Sequence, residues 1–73
     1  MESMPFLHAE RVFNIIFAED LTFVAVRGIL DRLLEMDAFD PEVQDQRAHY
    51  TIHLDRWSFS VWVSEMDVFI EVV

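Results

Sequence analysis

The last twenty-six residues alternate between apolar and polar positions in three short runs, and this pattern predicts three β-strands. The runs cover about Ala48–Leu54, Trp57–Ser64 and Met66–Val73. Alternation with a period of two is typical of a strand that has one face buried and the other in water. We therefore predict a three-stranded antiparallel meander at this end of the chain.

Two large aromatic residues interrupt the polar side of this alternation. Trp62 lies among serines, and Phe69 lies between two acidic residues. A large apolar side chain on a face that the pattern assigns to water usually marks a contact surface. The pattern therefore indicates binding rather than catalysis.

Short connections between the strands would fix the cross-strand neighbours. The predicted inner rows are Tyr50–Val61–Ile70 and Ile52–Phe59–Val72, and the predicted outer rows are His49–Trp62–Phe69 and Thr51–Ser60–Glu71. A slip of one residue would turn the apolar set to the wrong face. Neither connection contains the Asn-Gly or Asp-Gly that two-residue hairpin loops prefer, so four-residue turns with the same register are expected.

The N-terminal part of the chain is predicted to be helical. Residues 4–18 carry apolar side chains at three- and four-residue steps, with Ser3 as a candidate cap and Pro5 in the first turn. The alternative is a strand over Arg11–Phe17, because Val, Phe and Ile are good strand formers.

A second helix is predicted from a cap at Asp20 to about Met36. Its apolar stripe comprises Phe23, Val26, Leu30, Leu33 and Leu34. Gly28 would cost about 1 kcal/mol relative to alanine within this helix. Either another element packs closely against it, or residues 21–26 form a strand and the helix begins after Gly28.

A short third helix is predicted from Asp40 to about Arg47, because aspartate caps a helix and Pro41 suits its first turn. The predicted fold is α+β: two N-terminal helices plus a short third helix packed on a three-stranded antiparallel meander, in one domain over residues 1–73. The final strand would then be an unprotected sheet edge, which invites pairing. An N-terminal strand, a twin subunit or a target would cover it, and a homodimer is expected.

Charge narrows the range of partners. Fourteen acidic residues and five arginines give a net charge of −9. Direct binding to nucleic acid or to an anionic membrane is therefore not expected, whereas a larger protein with a basic surface would be attracted. The chain shows no signal peptide and no long apolar run, so a cytoplasmic location is expected.

Candidate catalytic and metal sites find little support in the sequence. The chain contains no cysteine, which excludes disulfides and thiolate-bound zinc. His49 and His53 are four residues apart, and on a strand that spacing separates them by roughly 13 Å, too far for one metal ion. The acids from Asp37 to Asp45 lack the glycine and the spacing of a calcium loop. We expect no catalytic residue, metal or cofactor.

The function expected is that of a small, acidic, non-catalytic inhibitor that blocks a basic, nucleic-acid-binding surface of a larger protein. In size, acidity and lack of catalytic motifs the chain resembles phage-encoded antagonists of bacterial defence, including anti-CRISPR proteins and DNA mimics. The alternative is an oligomerisation module whose aromatic sheet face forms a homodimer. The predicted partner-binding residues are His49, Trp62, Phe69, Asp31, Glu35, Asp37, Asp40, Glu42 and Asp45.

Overall fold

The computed structural model describes residues 1–40 and 47–73. Within these residues the chain forms one α-helix and a five-stranded mixed sheet, so the prediction of two N-terminal helices on a three-stranded meander is wrong. The elements are β1 (Glu2–His8), β2 (Arg11–Phe17), α1 (Phe23–Glu35), β3 (Ala48–Leu54), β4 (Trp57–Ser64) and β5 (Asp67–Val72). The strand order is β1-β2-β5-β4-β3, with β2 and β5 parallel and the other neighbours antiparallel.

Residues 4–18 form most of a β-hairpin instead of the predicted helix. The alternative strand over Arg11–Phe17 coincides with β2. Phe13, Ile15 and Phe17 are buried at alternate positions, so their apolar side chains satisfy a period of two as well as the helical spacing. The turn residues Ala9 and Glu10 both adopt left-handed φ values of 51° and 63°, as a tight two-residue hairpin turn requires.

The helix α1 begins two residues later than predicted and continues through Gly28. Thr22 is its cap, not Asp20, because the Thr22 hydroxyl accepts a hydrogen bond from the Ala25 N–H at 3.1 Å. The alternative strand over residues 21–26 is wrong. A Cβ on Gly28 would lie 3.0 Å from Leu54 Cδ1, so the expectation of an element packed closely against this glycine is confirmed.

The end of α1 returns the chain to the core. Asp37 has a left-handed φ of 55°, and the Ala38 N–H donates to the Leu33 carbonyl at 3.0 Å, as in a Schellman motif. This turn buries Ala38 and directs Phe39 against Phe13, with ring centroids 4.8 Å apart. The predicted third helix, from Asp40 to Arg47, lies largely outside the described residues.

The predicted register of the three C-terminal strands is confirmed. Every predicted row pairs as expected, including Tyr50–Val61–Ile70 and His49–Trp62–Phe69. The expectation of four-residue turns is wrong, because Leu54 pairs directly with Trp57 and Ser64 pairs directly with Asp67. Both two-residue turns begin with an acid at a φ of 55° (Asp55 and Glu65).

The last strand, β5, is central rather than an edge. Strand β2 pairs with it in parallel, so the N-terminal part of the same chain covers the edge that was predicted to be unprotected. The sheet edges are β1 and β3. The helix covers one face of the sheet, the inner face, with four buried side chains: Val26, Ile29, Leu30 and Leu33.

Candidate protein interface

The outer face, opposite α1, carries a row of side chains that crosses all five strands. Cross-strand pairing places His49 beside Trp62 and Trp62 beside Phe69. The parallel pairing of β2 with β5 extends this row to Ile16, and β1 adds Ser3. We call these five residues the outer row. Its three central members are apolar and adjacent.

The indole of Trp62 is held from two directions. The His49 ring lies 4.5 Å from it between centroids, and the Arg47 guanidinium carbon lies 4.6 Å from its ring centroid. His49 is itself fixed by a 2.6 Å hydrogen bond between its Nε2 and the Ser60 hydroxyl. A cation over an aromatic face and a tethered neighbouring ring limit the motion of the indole. The centre of the outer row is therefore preorganised.

Polar side chains surround the apolar centre of the outer row. On one side Asn14 and Asp67 are cross-strand neighbours, with Asn14 Nδ2 3.5 Å from Asp67 Oδ1. On the other side lies the row Thr51–Ser60–Glu71. An apolar centre with a polar rim is the usual anatomy of a protein–protein interface.

Exposure at the centre of the outer row is intermediate. Phe69 is 39% exposed, and Trp62 and Ile16 are half-buried by their neighbours on the sheet. Among the described residues, no helix lies over them, and the Arg47 guanidinium covers part of Trp62. Ile16, Phe69 and the rest of Trp62 consequently offer an apolar surface to a second molecule.

The predicted acidic residues do not join the outer row. Asp31 and Glu35 are exposed on α1, and Asp37 and Asp40 are exposed in the segment after it. The helix covers the inner face, so the sheet separates these acids from Trp62 and Phe69. Glu42 and Asp45 lie outside the described residues. One flat partner surface cannot contact both sets.

The exposed side of α1 carries charges of both signs. Arg27 Nε lies 3.4 Å from Asp31 Oδ1 in an ion pair one helical turn long. Arg32 is exposed near the end of the same helix. A surface that replaces a row of phosphates needs adjacent negative charges without cations between them. The arginines on α1 interrupt such a row.

A second exposed apolar group was not predicted from the sequence. Trp57 is 62% exposed and lines a groove with Val24 of α1, which is 83% exposed, and Phe23 at the start of the same helix is 70% exposed. A groove of about 430 Å³ runs between the first turns of α1 and the β3–β4 turn, with Trp57 in its wall. Phe23, Val24 and Trp57 lie at the starts of α1 and β4 and remain exposed there. The alternation of apolar and polar residues alone does not reveal this exposure.

The histidines of β3 are hydrogen-bonded to serines of β4. His53 Nδ1 lies 2.9 Å from the Ser58 hydroxyl, as His49 lies against Ser60. In the described part of the chain, no three His, Cys, Asp or Glu side chains come together as metal ligands would. Each imidazole therefore has a hydrogen-bond partner on the neighbouring strand.

Comparison with known proteins gives no relative for this chain. No protein-family model, curated protein or solved structure matches it. Over residues 1–40 and 47–73, no helix has the length and apolar character needed to cross a bilayer.

Proposed function

We propose that this protein is a small, acidic, non-catalytic binding protein that acts by covering a surface of a larger protein. The observation that carries this proposal is the outer row, whose apolar centre (Ile16, Phe69 and Trp62) lies on a sheet face that no described element covers. Exposed aromatic side chains within a polar rim are typical of the energetic centres of interfaces.

The charges near the outer row indicate the kind of partner surface. Asp67 and Glu71 flank Phe69 along β5, on the same face. A partner with an apolar recess and basic residues around it would match both the aromatic centre and these acids. The net charge of −9 would also accelerate association with a basic protein. Inhibition would follow if that surface of the partner is the one that binds nucleic acid.

A DNA-mimic mode through the helix acids has less support than binding through the outer row. Arg27 and Arg32 lie among those acids on α1. The two modes make opposite predictions for charge reversal. Binding through the outer row is insensitive to reversal of Asp31 and Glu35 to lysine, whereas phosphate mimicry requires them.

The test is a capture experiment with matched tryptophan variants. Wild-type chain, Trp62→Ala/Phe69→Ala and Trp57→Ala are immobilised separately, and proteins retained from the source organism's lysate are quantified by mass spectrometry. Trp57 begins β4 and Trp62 lies further along the same strand. Trp57→Ala therefore controls for the loss of an exposed indole outside the outer row. We expect a basic protein that binds wild type and Trp57→Ala, with at least tenfold loss from the double variant.

Equal retention by all three chains would contradict the proposal. The mass of each variant in solution is measured in parallel, because a homodimer through the same aromatic face is the competing function. If Trp62→Ala/Phe69→Ala converts a dimer to a monomer and no retained protein depends on these residues, the outer row serves a second copy instead.

A further inference from the structure

The two edges of the sheet differ in how well they resist pairing. Edge strand β1 contains Pro5, which has no N–H to offer a further strand. Edge strand β3 (Ala48–Leu54) contains no proline, glycine, lysine or acidic residue. No described strand pairs with its second side. An edge of seven residues without these protective features is open to strand addition.

One hydrogen bond shows which backbone groups of β3 face outward. The Ser58 carbonyl accepts from the Val73 N–H at 2.9 Å, so Ser58 directs its backbone groups towards β5. Its antiparallel partner is His53. Opposed residues in an antiparallel pair either bond each other or both point away, so the His53 N–H and carbonyl point away from β4. By alternation, Thr51 and His49 do the same.

We propose that a second copy of this chain pairs with β3 antiparallel, about a twofold axis at Thr51. This register makes Thr51 face Thr51 of the partner subunit and His49 face His53 of the partner subunit. All outward backbone groups of His49, Thr51 and His53 then meet the equivalent groups of the second strand. The two sheets become one continuous ten-stranded sheet.

The side chains of β3 are self-complementary in this register. On the inner face, Tyr50 comes opposite Ile52 of the partner subunit, and aromatic–β-branched pairs are favourable neighbours across strands. On the outer face, threonine meets threonine, which is also a favourable pair.

The helix leaves room beside this edge. A recess of about 240 Å³ between α1 and β3 is lined by Arg32, Glu35, Met36, Thr51, Ile52 and His53. Met36 is 50% exposed there, so a second subunit would cover apolar surface. The proposal uses no residue of the apolar centre and stands independently of the proposed function.

The test exploits the position of Thr51 on the twofold axis. In this register Thr51→Lys opposes lysine to lysine and Thr51→Glu opposes glutamate to glutamate, so each variant alone is repelled. The mixture pairs lysine with glutamate. We expect wild type to have twice the monomer mass of 8.7 kDa by sedimentation equilibrium, each variant alone to be monomeric, and the equimolar mixture to recover the dimer.

Two further variants separate edge pairing from misfolding and from pairing by another face. Thr51→Val keeps the N–H and should remain dimeric, whereas Thr51→Pro removes an outward N–H and should raise the dimer dissociation constant roughly tenfold or more. Circular dichroism verifies that each variant is folded. A monomeric wild type at all concentrations overturns the proposal, as does a dimer that survives both charged variants but is lost in Trp62→Ala/Phe69→Ala.

Discussion

The two faces of the sheet carry similar residue types but differ in what covers them. On the inner face, Phe13, Val61 and Val68 are fully buried beneath α1 and the segment that follows it. On the outer face, Ile16, Phe69 and Trp62 are covered by their sheet neighbours and, at Trp62, by the Arg47 guanidinium, with no helix over them among the described residues. Apolar side chains of the first kind stabilise the fold through burial. Those of the second kind remain partly exposed, and a bound molecule would bury the remainder.

The two faces should differ most in how much the truncation of a phenylalanine lowers the free energy of unfolding. Phe13→Ala should lower the free energy of unfolding by about 3–5 kcal/mol, because the side chain is fully buried and its loss leaves a cavity. Phe69→Ala, at 39% exposure, should cost less than half as much. Urea unfolding followed by circular dichroism measures both. Equal costs would show that the outer face also stabilises the isolated chain.

Removal of the cap at the start of α1 should have an intermediate effect on the free energy of unfolding. Thr22→Ala should lower the free energy of unfolding by about 1 kcal/mol, because the Ala25 N–H loses its hydrogen bond to the Thr22 hydroxyl. Asp20→Ala is the matched control, since Asp20 precedes the helix without capping it. We expect the control to leave the urea midpoint within error of wild type. A larger loss for Asp20→Ala than for Thr22→Ala would restore the cap predicted from the sequence.

The C-terminal strands could be predicted because their information is local. Their alternation is regular, their connections are short, and one register satisfies both hairpins. The turn lengths could not be predicted, because Asp55 and Glu65 adopt left-handed φ values although neither turn contains the Asn-Gly or Asp-Gly that usually indicates a two-residue loop. Nothing in the local sequence distinguishes an acid that accepts this conformation from one that does not.

The N-terminal hairpin could not be recognised for a related reason. Its turn, Ala9-Glu10, contains neither glycine nor asparagine, so the two strands read as one continuous apolar segment. The spacing of Phe6, Phe13 and Phe17 then also fits a helix. What decides between the two structures is the parallel pairing of β2 with β5, whose residues are more than fifty positions apart. That contact exists only in the folded chain.

The candidate interface was predicted in part. The row His49–Trp62–Phe69 followed from the register, whereas Ile16 joined it only through the non-local β2–β5 pair. The acidic run from Asp31 to Asp45 predicts contacts that mimic phosphates on the same partner, yet α1 holds Asp31 and Glu35 on the other side of the sheet. Charge composition indicates what kind of partner is attracted. It does not indicate which face makes the contact.

The smallest expected change in stability is that of Asp31→Asn on the exposed side of α1. Asp31→Asn removes the exposed ion pair with Arg27 and should change the free energy of unfolding by only about 0.2–0.5 kcal/mol. Because Asp31 lies opposite the outer row, the same variant should leave capture of the basic partner unchanged. Glu71→Gln is the matched control on the outer face, where it removes one acid beside Phe69. Glu71→Gln should capture less of the basic partner, and that capture should become less sensitive to salt. The reverse result, with loss at Asp31 and none at Glu71, would move the interface to the helix acids and make the outer row a feature of the fold alone.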